Sequence, residues 1–107
     1  MDLAILNTSI ITADGTFVLE TIELSRARAL VQQAEGILSA VGHETTAQIL
    51  SDLLGIEVPV NRINFIQQVG QMALVFKLMG RPPEGVILSA EEVKAIGYEF
   101  KTLTRLS

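Results

Sequence analysis

ILSAVGHETTAQILSDLLG, residues 37–55, is the stretch that decides how this chain is built. Ile37 to Val41 is a short apolar run of strand character, Gly42-His43 interrupts it, and Glu44 to Leu54 has helical spacing. Gly55 closes that helix, being the residue type that accepts a left-handed C-cap. A strand passing through Gly-His straight into a helix is the junction expected of an α/β domain. His43, the only histidine, stands in phase with Ala47, Leu50 and Leu54, so its ring is expected to lean toward the inner face of the helix. Two uses are open to it. It can be a histidine satisfied at the rim of the core, or a general acid or base at a helix N-terminus, where free N–H groups and the helix dipole favour a phosphate.

On the N-terminal side, Leu3-Ala4-Ile5-Leu6 reads as a buried strand that stops at Asn7-Thr8-Ser9. Ala13-Asp14-Gly15 makes a turn, and Thr16 to Glu23 alternates as a second strand. Ser25 is the expected N-cap of a helix from Arg26 to Ala34, ended by Gly36. On the C-terminal side, Arg62 to Gln67 and Met72 to Leu78 read as a hairpin around Gly70. Gly80-Arg81-Pro82-Pro83-Glu84-Gly85 is a shaped loop, since prolines remove donors and glycines widen the dihedral range. Ser89 and Glu92 have capping-box spacing for a short helix to about Ile96, and Tyr98 to Leu106 alternates as a final strand. The reading is one continuous α/β domain over residues 1–107, without repeat or linker.

Composition narrows the chemistry. A chain of 107 residues with 49% apolar content can bury a core without staples. The lack of cysteine excludes disulfides, thiolate metal sites and thiol nucleophiles. Met1-Asp2 has no basic n-region and no apolar run reaches the ~18 residues of a membrane span, so a soluble, cytoplasmic protein with no membrane partner is expected. With a net charge of −4 and eight Lys and Arg placed singly, a broad footprint on DNA or RNA is not expected. A phosphate-rich ligand must be small and held locally. No dinucleotide fingerprint, phosphate loop, nucleophile elbow or two-metal carboxylate cluster is present, so hydrolytic chemistry is expected to run without metal or cofactor.

The remaining candidate residues each have a bland use beside the functional one. Thr45 and Thr46, in the first helical turn, can donate to a phosphate or cap backbone groups. Asn7 and Ser9 follow a strand end, where open α/β sheets bind ligands and where ordinary turns also occur. Arg62 and Arg81 serve solubility or grip phosphate, and Glu84, three residues after Arg81, can orient a histidine.

The run Val41-Gly42-His43-Glu44-Thr45-Thr46-Ala47-Gln48-Ile49-Leu50, with Leu53-Leu54-Gly55 behind it, resembles the hallmark of the ring nucleases. These are viral anti-CRISPR proteins and cellular relatives that degrade cyclic tetra-adenylate, the second messenger of type III CRISPR immunity. The resemblance continues through Asn61-Arg62 and through Arg81-Pro82-Pro83-Glu84-Gly85-Val86-Ile87-Leu88-Ser89, and is looser before residue 41. The two prolines before Glu84 depart from the family pattern. The resemblance implies a mixed sheet with helices packed on it, a two-fold symmetric homodimer and a ligand cradle at its interface. It also implies that His43 is catalytic with Glu84 in support, and that Asn7, Ser9, Thr45, Arg62 and Arg81 hold the substrate. The alternatives are a module that sequesters a cyclic oligonucleotide without cutting it, and a protein-interaction domain that retains no nucleotide.

Overall fold

Four consecutive apolar residues can all be buried only in a strand covered on both faces, and strand β1, Leu3–Leu6, meets that condition at every position. It lies between two parallel neighbours. Strand β3, Ile37–Ser39, pairs with it on one side, and strand β4, Met72–Leu78, on the other. The computed structural model, which describes residues 1–80 and 88–107, completes the sheet with β2, Phe17–Ile22, and β5, Tyr98–Arg105. The strand order is β2-β5-β4-β1-β3, with β5 antiparallel to both β4 and β2. The domain is therefore single, α/β and mixed.

Alternation along the strands divides the core in two. Leu3, Ile5, Leu74, Phe76 and Phe100 point to one face, where helices α1, Leu24–Gln33, α2, Glu44–Leu54, and α3, Ala90–Ile96, bury Val31, Leu50 and Val93 against them. Phe76, Tyr98 and Phe100 form an aromatic cluster there, with ring centroids 5.3 to 5.9 Å apart. Ala4, Leu6, Ala73, Val75 and Leu103 point to the other face, which carries no helix among the described residues. Phe65, from the irregular segment after α2, packs into this second cluster.

Three expectations are corrected at this level. Residues 62–67 are not a strand, and no hairpin forms around Gly70. The physical reason is that both edges of β4 are taken, by β1 and by β5, so no edge is left for a preceding strand to join. The segment instead turns inward through side chains: the Gln67 amide donates to Leu103 O and Gln71 O, and Gly70, at φ +84°, donates its N–H to Arg105 O. The first helix also starts two residues early. Its N-cap is Glu23, not Ser25, because the Glu23 carbonyl accepts from both Arg26 and Ala27, and it ends at Gln33 with Ala34 as C-cap. Strand β3 stops at Ser39, although Ala40 still donates to Ile5 O.

Ser39 explains the early stop. Its side chain is 4% exposed, donates to Pro59 O at 2.6 Å and accepts from Val41 N–H, so the strand's edge is given over to the segment around residue 60. Asn61 adds two bonds, from its backbone N–H to Val41 O and from its side chain to Ser39 O. A buried donor left without partners costs about 1–3 kcal/mol. Ser39→Ala is therefore expected to lower unfolding free energy by about that amount in a urea titration and to speed amide exchange at Val41 and Asn61.

Candidate functional site

Three parallel strands, β1, β3 and β4, send their carboxyl ends to the same edge of the sheet. The chain reaches β4 from β3 by way of α2, so it passes from one side of β1 to the other. Ligands of open α/β sheets sit at such a reversal. Asn7-Thr8-Ser9 leave from β1, Ala40 to His43 from β3, and Met79-Gly80 from β4. Arg81 and Glu84, like the loop expected around them, lie outside the described residues.

His43 is the N-cap of α2, with extended backbone at φ −124° and ψ 131°. The helix runs over the same residues the sequence predicts, and Gly55 caps it at φ +70°. The ring, however, does not lean onto the inner face as expected, but is exposed. As the residue before the helix proper, His43 lacks the helical dihedrals that would align it with Ala47 and Leu50. Its side chain makes no cap hydrogen bond, although its backbone carbonyl accepts from Ala47 N–H. The rim-of-core use is thus removed: the imidazole is not satisfied by burial. Thr45 is half-buried in the first turn.

Arg62 reaches the same junction from the pinned segment beside β3. Its Nε donates to Gly42 O at 2.9 Å, which sets the guanidinium next to His43 in the chain while leaving it exposed. Asn7 and Ser9 belong to a second grouping. They line a cavity of about 280 Å³ on the helix-free face together with Leu19, Val75, Lys77 and Lys101. His43 and Arg62 do not line it. Arg62 is thus fixed to the residue before His43, and Asn7 and Ser9 share a cavity, as two separate groups at the strand ends.

Lys77 and Lys101 are the residues that sequence reasoning missed. Lys101 donates to Thr21 Oγ1 at 2.7 Å and lies 3.5 Å from Glu99, while Lys77 stands opposite Glu99 in the β4–β5 ladder. Alternation within Met72–Leu78 would have put Lys77 on the face of Ala73 and Val75. Which face that was, and that Lys101 shared it, depended on pairing between strands. Among the described residues no three His, Asp or Glu side chains gather as a metal site would require.

The cap geometry has a measurable consequence. Asp at an N-cap accepts from the first-turn N–H groups, which His43 does not. His43→Asp is expected to raise stability by about 0.5–2 kcal/mol, and His43→Ala to leave it within about 0.5 kcal/mol, in chemical denaturation. A substantial loss in the alanine variant would make His43 a structural residue.

The STIV B116-like family matches residues 3–100. The chain is 36% identical over 107 residues to YddF of Bacillus subtilis (strain 168), covering 99% of both chains. It is 34% identical over 92 residues to ORF117 of Acidianus two-tailed virus, covering 84% of this chain and 79% of that one. It superposes on B116 of Sulfolobus turreted icosahedral virus with a TM-score of 0.80 over 97% of its length and 99% of the viral chain, at 19% identity. The fold is thus one also found in B116 of that archaeal virus, and the chain belongs to the STIV B116-like family.

Proposed function

We propose that this chain is a homodimeric, metal-independent ring nuclease that opens cyclic tetra-adenylate and so switches off type III CRISPR signalling. The observation that carries the reading is His43 itself. It is an exposed imidazole at a helix N-cap, without a cap bond, at the carboxyl edge of the sheet and directly after Gly42, whose carbonyl holds Arg62. Selection for stability alone favours Asp, Asn, Ser or Thr there.

In this scheme a ribose 2′-hydroxyl, losing its proton to solvent, attacks the neighbouring phosphorus. The bond to the 5′-oxygen breaks, and His43 supplies the proton that the leaving oxygen takes up. The products are linear di-adenylates ending in 2′,3′-cyclic phosphate. General acid catalysis of this kind contributes about 10²- to 10⁴-fold, and in-line positioning of the hydroxyl much of the rest. Arg62 and the amide groups opening α2 oppose the phosphate charge. Glu84 and Arg81 take their supporting roles from the resemblance, as does Thr45.

A two-fold axis suits a ring with four equivalent phosphodiesters. The helix-free face offers the interface, because it leaves Leu19 49% exposed and holds the cavity of Asn7 and Ser9. Lys77 and Lys101 give that cavity positive charge in a chain whose net charge is −4. The sequestering alternative draws on the same cavity, which His43 does not line.

The deciding assay incubates labelled cyclic tetra-adenylate with protein in EDTA. Linear products are expected from the native chain, and an intact but still bound ring from His43→Ala. An intact ring that stays bound to both would establish sequestration, and an intact ring retained by neither would overturn both nucleotide readings. Lys77→Gln and Lys101→Gln are each expected to weaken ring binding by roughly fivefold, the size of one charge interaction near a surface. Glu84→Ala is expected to slow single-turnover cleavage, and sedimentation should show a dimer.

A further inference from the structure

The face bearing the helices holds a second concavity that the reaction above does not use. Between the three helices lies a cleft of about 340 Å³, at the small end of the range for small-molecule sites. Its apolar lining comes from Leu24 of α1, Ile49 and Leu53 of α2 and Val93 of α3. Its polar lining is Arg28, Lys94, Asp52 and Tyr98.

The charges there are unbalanced toward positive. Asp52 accepts from the Gln48 amide at 3.0 Å. Arg28 is held in place by an Nε bond to Leu53 O at 2.8 Å, at the carboxyl-terminal turn of α2. That bond uses one of five guanidinium donors. Among the described residues neither Arg28 nor Lys94 forms an ion pair. An anchored cation at the rim of an aliphatic cleft complements a ligand with one negative charge and an apolar body. A polyphosphate would meet apolar walls and the Asp52 carboxylate.

We propose that this inter-helix cleft is a binding site for a small amphipathic monocarboxylate of the alkyl type. The site is independent of the nuclease reading. The carboxylate is held by the lining cations, Arg28 and Lys94, and the alkyl chain lies along Leu24, Ile49, Leu53 and Val93.

Titration of the full chain with octanoate, followed in methyl-resolved NMR spectra, tests it. Saturable shifts are expected at the Leu24, Ile49, Leu53 and Val93 methyls, with octylammonium binding at least roughly fivefold more weakly. The double variant Arg28→Gln with Lys94→Gln should abolish that preference. Ala90→Trp, at an exposed lining position, should block octanoate while leaving the core spectrum intact. Absence of shifts at millimolar octanoate, equal binding of octylammonium, or undiminished binding by Ala90→Trp would each overturn the proposal.

Discussion

The parallel pairing of β1 with both β3 and β4 is the constraint on which the rest depends. Parallel strands cannot be joined by a tight turn, so each connection must cross a face of the sheet, and the carboxyl ends must emerge together. From this follow the position of α2, the switch of strand order across β1 and the gathering of Asn7, Ser9 and His43 at one edge. The antiparallel half, β4-β5-β2, adds the platform on which Lys77 and Lys101 stand.

Much of this was legible locally. The wholly apolar Leu3–Leu6, the span of α2 with its Gly55 cap, and the Ser89–Glu92 capping box all reflect interactions within a few residues, and all three elements form where the pattern places them. What was not legible was long-range. Residues 62–67 alternate well enough for a strand, but a strand exists only if an edge is open to it, and none of β4 is. The orientation of His43 turned on a single residue, the difference between the last non-helical position and the first helical one. Asn61 and Arg62 matter through bonds to Ser39 and Gly42, partners about twenty residues away that no local pattern reveals.

The two faces of the sheet have been treated differently by the same alternation. One is sealed by helices bearing large residues, and the aromatic cluster of Phe76, Tyr98 and Phe100 fills it. The other mixes small residues, Ala4 and Ala73, with Leu6, Val75 and Leu103, and is only partly covered, by a segment fixed through hydrogen bonds instead of a regular element. A face built this way has shallow relief and accessible polar groups at its margin, the shape suited to receiving something from outside the chain.

Lys101 and Thr21, joined across the β2–β5 ladder, are eighty residues apart. Closing a loop of that length carries an entropy cost, and such distant pairings set the pace of folding. The wall of the cavity formed by Leu19 and Lys101 belongs to that ladder. The pocket is therefore complete only when the most distant parts of the chain have met, so that any molecule held there also acts as a clasp on the fold, biasing the chain toward its closed sheet in proportion to its concentration.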